Sequence, residues 1–344
     1  MNQISRDRIA VSSRSIAPGR EHRGKRLFAL FSLMLGMLIS VISSEALAQD
    51  KPPLKILVGF PPGGSADLLA RTLAEGLRDD FASVVVENRP GASGRLALGL
   101  AKNAKPDGQT LIILPFGPLV MFPHVYRKLD YDPVKDFTPI SLLARFQFGI
   151  TSGPGSNAAS VADMLAKIKA DPKSGTYGTP GEGSAPHFLG ILVGRAAGAE
   201  FTHVPFQGGA PANVALLGGH IGYKMDVVLE SAEMHKNGKA KIIAVAGAKR
   251  DPIVPDVPTL RESGIDVEAT GWFAMIGPAG IAPDVQRKLE GAVARAIAQN
   301  EVSEKLRRIG YDPVGSSAST LAATQAEDLA KWAKPIAATG FKLD

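Results

Sequence analysis

The chain has 344 residues and no cysteine, so structural disulfides, thiol catalysis and cysteine-based metal sites are excluded together. Hydrophobic residues make up 45% of it, enough for a sizeable core in one large or two medium domains. The formal charge of +6 is concentrated at the start: seven Lys/Arg against three acids precede residue 49, leaving +2 for the rest and arguing against nucleic-acid binding.

Residues 1–48 read as a secretion signal. Basic residues end at Arg26, an apolar stretch runs from Leu27 to Ile42, and Ala46-Leu47-Ala48 fits a small-x-small cleavage site, with Gln49 the expected first mature residue. An uncleaved membrane anchor is the competing reading, but the apolar core is shorter than the ~20 residues of a membrane span. No twin arginine precedes it, so the general secretion route is expected. A cleaved, cysteine-free product is expected to be free and soluble in the periplasm.

Leu54 to Phe60 is an apolar run that predicts a buried strand. Pro61 and Pro62 stop it, Gly63 and Gly64 permit a sharp turn, Ser65 is expected as N-cap, and Asp67 suits a first helical turn. Strand, glycine turn and helix together either present backbone N–H groups to an anion or form a tight turn with nothing bound. Val84–Val86 predicts a second strand, running into a turn over Glu87–Gly94 and a helix. Leu111–Leu114 predicts a third strand, after the Pro106-Asp107-Gly108 turn. Tyr131–Pro139 reads as turn-rich and Phe146–Thr151 as extended. A helix follows, with Ser160 and Asp163 as its capping pair. Thr179–Phe188 again places glycines before a helix, and Thr202–Pro205 leads into the second Gly-Gly turn at Gly208-Gly209. Ile242–Ala246 and Trp272–Ile276 are further extended segments. Helices are expected after Pro283 and from about Leu321, the last kinked or ended by Pro335. Strands alternating with helices indicate a parallel α/β sheet, whose ligands sit beyond the carboxyl ends of the strands.

Catalytic and metal motifs are missing from this sequence. Histidines His124, His187, His203, His220 and His235 have no partner at metal spacing, and there is no His-Glu-x-x-His, no nucleophile elbow and no phosphate loop. His187 and His203 each flank a glycine turn. Asp67, Glu182, Asp226 and Glu230 are the acids nearest the turns. Glu182 at a helix start either caps its own helix or receives a donor group of a ligand.

Several stretches resemble the substrate-binding receptors of tripartite tricarboxylate transporters, the Bug receptors. They are Phe60-Pro-Pro-Gly-Gly-Ser-Ala-Asp67, Glu87-Asn-Arg-Pro-Gly-Ala-Ser-Gly94, Pro106-Asp-Gly108, His203-Val-Pro-Phe-Gln-Gly208, Lys249-Arg250, Pro255-Asp-Val-Pro-Thr259 and Pro278-Ala-Gly280, in family order. The resemblance implies a two-lobed α/β periplasmic-binding-protein fold, each lobe a mostly parallel sheet flanked by helices. Lobe 1 would comprise residues 49–150 plus 271–344, and lobe 2 residues 151–270. It further implies a monomer that holds a small carboxylated solute between the lobes, delivers it to inner-membrane permease subunits, and uses no cofactor, metal or catalysis. Carried onto this sequence, it nominates Phe60, Pro61, Pro62, Gly63, Gly64, Ser65, Asp67, Gly181, Glu182, Gly183, Ser184, His187, Phe206, Gln207, Gly208 and Asp226 as ligand-binding. Four departures stand out: the apolar Leu114-Pro-Phe-Gly-Pro118, Glu182 at a usually uncharged position, Gly222 where an acid is common, and Ile281 in place of threonine. The first two suggest a ligand with both a carboxylate and a donor or ring. A hydrolase or isomerase on the same fold and a sensor input for a signalling partner are the competing functions.

Overall fold

The structure is a computed structural model that describes residues 51–344, so the signal peptide expected from the sequence and its expected cut after Ala48 lie outside the described residues. In chain order the strands are β1 (Leu54–Val58), β2 (Val84–Asn88), β3 (Thr110–Pro115), β4 (Phe137–Ser152), β5 (Thr176–Thr179), β6 (Thr202–Pro205), β7 (Tyr223–Val227), β8 (Lys241–Val245), β9 (Thr270–Pro278) and β10 (Asp312–Pro313). The helices are α1 (Ser65–Gly76), α2 (Arg95–Lys102), α3 (Gly117–Val120), α4 (Phe122–Val125), α5 (Val161–Ala170), α6 (Ala185–Ala197), α7 (Gly209–Leu217), α8 (Leu229–Lys236), α9 (Pro283–Ala298), α10 (Asn300–Arg308) and α11 (Ala318–Thr339).

The strands follow the order β2-β1-β3-β9-β4-β7-β5-β6, with β8 and β10 also paired to β4. β1 runs parallel to β2 and β3, and β5 runs parallel to β6 and β7. Between these two parallel groups lie β9 and β4, antiparallel to their neighbours. The parallel reading of the sequence therefore holds for each flank, and the centre is antiparallel. β4 is long enough to belong to both halves: its first part pairs with β9 and its last residues with β7 and β8. Register shifts near Pro139, Leu142 and Ile150 interrupt it, as bulges in a strand that bends between two sheets would.

β1 and β3 are buried almost throughout because helices cover them, which explains their uninterrupted apolar sequence. α9 and α11 pack on β4. α11 runs through Pro335 to Thr339 rather than ending there. Burial of Trp332 and Ile336 on either side of Pro335 supplies packing that outweighs one lost helical hydrogen bond. An aromatic cluster forms the centre. Phe116 packs 5.7 Å from Trp272 and 6.2 Å from Trp332, and Phe146 packs 4.7 Å from Phe273 and 5.3 Å from Phe148. The indole Nε1–H of Trp272 donates to Asp328 of α11 at 2.7 Å, tying β9 to the last helix.

Candidate functional site

All three parallel strands of each half end on the same cleft. The chain leaves β1 into the Phe60–Gly64 turn, β2 into Ser93, and β3 into Phe116–Pro118. From the other half it leaves β5 into Pro180–Ser184, β6 into residues 206–210, of which Gly209 and Ala210 reach the cleft, and β7 into Val227–Glu230. Residues from each of these exits line one cleft of about 740 Å³, open solvent included; a smaller gap holding Gln207 and Gly208 adjoins it. Its walls are mainly apolar, with Phe60, Phe116, Phe122, Phe146, Phe148 and Phe273 facing it. Side-chain polarity comes from Ser65, Ser93, Ser184, Asp226 and Glu230, and among the described residues no Lys or Arg lines it.

Glu230 holds the most informative position. Its Oε1 accepts a 2.6 Å hydrogen bond from the backbone N–H of Ser65, across 165 residues of chain. Ser65 is thus the first residue of α1, not its N-cap. Gly64 occupies the cap position without a side-chain bond, and the Glu230 carboxylate takes up the helix-terminal N–H instead. The other oxygen of Glu230 and Oδ2 of Asp226 both lie against Gly209, so close that a Cβ there would sit 2.6 and 2.8 Å from them. Glu230 therefore lies between the two Gly-Gly turns, with Asp226 beside it at Gly209.

Asp226 is only 4% exposed. Its Oδ1 accepts from the Val227 N–H at 2.8 Å, while Oδ2 lies 3.2 Å from Lys224 Nζ without a well-aligned hydrogen bond. Burial pushes its pKa up, the Lys224 ammonium pulls it back, and Glu230 adds to the rise. Lys224 is fully buried and donates to Asn213 Oδ1 at 2.6 Å. Tyr311 completes the surroundings, donating to the Ser65 carbonyl at 2.7 Å; burial first, then repulsion from Glu230, keeps its phenol protonated.

Of the residues nominated from sequence, Phe60, Pro61, Gly64, Ser65, Ser184 and Asp226 line the cleft, and Gln207 and Gly208 line the adjoining gap with Phe60. Pro62, Gly63, Asp67, Gly181, Glu182, Gly183, His187 and Phe206 line neither. Asp67 braces the first turn from behind. It accepts from the Gly63 N–H, Arg71 Nε and Asn88 Nδ2 at 2.9 Å each, and although burial opposes it, these bonds hold its carboxyl below the usual range. Glu182 has an exposed side chain; its carbonyl accepts from Ser93 Oγ across the gap at 3.3 Å. The acids that line the cleft are Asp226 and Glu230, and Glu182 does not line it. Phe206 packs instead beneath Gly178 against the small apolar cluster around Leu216.

His187 supports the second turn from inside. Its Nδ1 accepts from the Gly183 N–H at 3.1 Å, and its ring stacks on His203 at 3.7 Å and 11°. Phe341 meets His187 edge-on at 4.7 Å. Burial lowers the pKa of His187 to about 4 and, with the neighbouring His187, that of His203 to about 3. Both rings are neutral at pH 7 and act as packing groups. Among the described residues, no three His, Asp or Glu side chains come together as a metal site requires.

The two halves already touch through their turns. Gly208 has φ +110°, and a Cβ there would lie 2.7 Å from Cδ of Pro61 on the opposite turn. Gly208→Ala should therefore lose about 1–3 kcal/mol through backbone strain and press the halves apart. Gly198, at φ +61° with no atom within 4 Å of a built Cβ, supplies a control carrying backbone strain alone. Urea midpoints should fall further for Gly208→Ala than for Gly198→Ala, and small-angle scattering should show a larger radius of gyration for Gly208→Ala only.

Comparison with known proteins agrees with this architecture. The family described as "Tripartite tricarboxylate transporter family receptor" matches residues 69–341. Protein BugT of Bordetella pertussis is 28% identical over 92% of this chain and 98% of its own. Among solved structures, Rhodopseudomonas palustris Rpa4515 with adipate is 30% identical with a TM-score of 0.82, covering 86% of this chain and 99% of its own. MatC of the same organism with bound malate is 29% identical with a TM-score of 0.78, covering 83% and 99%. The fold is the two-lobed α/β fold of periplasmic binding proteins.

Proposed function

This chain belongs to the tripartite tricarboxylate transporter receptor family, and we propose that its cleft closes on a small carboxylated solute, which it hands to inner-membrane permease subunits from the periplasm. The observation that carries the reading is the convergence of six strand exits, three from each half, on one cleft with helix N-termini at its rim. Lobe 1 would consist of residues 49–150 plus 271–344 and lobe 2 of residues 151–270. This division is supported by strand pairing, because β4 pairs with β9 in the first sheet and with β7 and β8 in the second. Binding favours the closed arrangement over an open one, and a permease reads the difference. Among the described residues, no serine hydroxyl lining the cleft is hydrogen-bonded to Asp226 or Glu230, which supports binding without turnover. Among the described residues no helix is long and apolar enough to cross a membrane.

Native mass spectrometry of the purified protein, followed by thermal shifts with a panel of carboxylates, tests this. A true ligand at 100 times its Kd stabilises by about 2.7 kcal/mol, so saturation appears as a rise in Tm that tracks concentration. Conversion of the bound carboxylate to product would overturn the receptor reading in favour of an enzyme.

A further inference from the structure

The site resembles a carboxylate receptor with one of its carboxylates already in place. A helix N-terminus facing a cleft invites an anion, yet at α1 that position holds the protein's own Glu230, bonded to the Ser65 N–H at 2.6 Å. The buried Asp226 lies beside it, with Oδ2 lacking an aligned hydrogen bond, and both acids rest against Gly209 at the start of α7. A second carboxylate brought by a solute to this end would meet two like charges. The start of α6 is different. Ser184 and Ala185 line the cleft there, Ser184 Oγ is turned back onto the Gly181 carbonyl at 2.6 Å, and no side chain caps the helix. The rest of the lining is mainly phenylalanine: Phe60 is half-buried, while Phe116, Phe146, Phe148 and Phe273 are 1–4% exposed and offer a narrow apolar wall suited to a thin apolar body.

We infer that Glu230 sets specificity by replacing one ligand carboxylate, so that the cleft selects an aromatic monocarboxylate bearing a hydroxyl or amino donor and rejects aliphatic dicarboxylates. The inference rests on the receptor reading and narrows it. The ligand carboxylate meets the first turn of α6, its ring lies among Phe116, Phe146, Phe148 and Phe273, and its donor reaches Asp226. Glu182, on the exposed surface, takes no part.

The test is titration calorimetry with benzoate, 4-hydroxybenzoate, 4-aminobenzoate, malate and adipate on the purified protein and on Glu230→Ala and Glu230→Gln. The parent protein should bind 4-hydroxybenzoate or 4-aminobenzoate at least tenfold more tightly than adipate, with benzoate between them. Glu230→Ala should improve adipate binding at least tenfold. Glu230→Gln keeps the shape and an acceptor for the Ser65 N–H while removing the charge, so it should improve adipate binding in the same direction even where the alanine variant is poorly folded. Adipate or malate binding to the parent as tightly as the aromatic acids, or no gain in either variant, overturns the inference and leaves the receptor reading standing. If no carboxylate binds the parent or either variant, both fall.

Discussion

Lowering the pH from about 7 to about 4 will strip this protein of a large part of its stability, and the His187–His203 stack is the main reason. Burial holds the pKa of His187 at about 4 and of His203 at about 3, against an ordinary value of 6.5. The folded state therefore keeps both rings neutral over a range where the unfolded chain protonates them. Stability depends on pH with the sign of the extra protons bound by the unfolded state, so it declines as pH falls below 6.5 and levels off near the folded values. Each tenfold change in proton affinity is worth about 1.4 kcal/mol, so the pair loses on the order of 5 kcal/mol across this window, after discounting the partly exposed His203. Asp226 and Asp251, both raised by burial, work in the opposite sense as they protonate and shallow the slope. Asp67, held below its ordinary 3.8, adds its loss only at lower pH. Urea midpoints measured from pH 8 to pH 4 should show the decline, and His187→Phe, which keeps a flat ring against His203, should remove about half of it. An unchanged pH profile in that variant would show that the stack is not the cause.

The sequence made the turns legible and left their partners obscure. The exit from β1 was readable because an apolar run, two prolines, two glycines and an amphipathic helix are all local signals, and β3, β8 and β9 announced themselves by continuous apolar residues. β7 did not. Its sequence Tyr-Lys-Met-Asp-Val puts two charges in the middle of a fully buried strand, and only their pairing with each other and with Asn213 makes that tolerable. The length of β4 was hidden by Pro139, Gly149 and its bulges. The apolar wall was foreseen at residues 114–118, whereas Phe146, Phe148 and Phe273 lie on strands whose cleft-facing side no local pattern identifies. The acid at the α1 terminus is the clearest case. Ser65 looked like a cap because it precedes a helix, but the cap comes from Glu230, and a contact spanning 165 residues leaves no mark in local sequence. Glu182 attracted notice through its place in a glycine turn, a position that turned out to face solvent.

Replacing Lys224 by methionine should be among the most damaging single changes in the second half of the chain. Lys224 and Asp226 are two apart on β7 and so share a face, both nearly inaccessible, with Nζ and Oδ2 3.2 Å apart. Removing the ammonium leaves a buried carboxylate with one backbone N–H and a neighbouring Glu230, which is the situation in which loss of one partner destabilises by about 3–5 kcal/mol. The side chain of Asn213 also loses its Lys224 donor, while its own bond to the Glu230 carbonyl remains. The damage should depend on pH in a diagnostic way. Without Lys224 the Asp226 pKa climbs further, so the carboxyl can escape its penalty by taking up a proton, and Lys224→Met should be less harmful at pH 5 than at pH 8. That direction is opposite to the acid loss from the histidines and can be isolated by comparing the variant with the parent at each pH. Lys224→Met combined with Asp226→Asn removes both charges and should recover most of the loss, since replacing a buried pair by neutral groups is often close to neutral. Denaturation midpoints of the parent, the two single variants and the double variant form a cycle that measures the coupling directly. A single-variant loss under about 1 kcal/mol at pH 8, or a double variant no better than Lys224→Met, would mean that the pair is hydrated and that Asp226 is not held charged within the wall of the cleft.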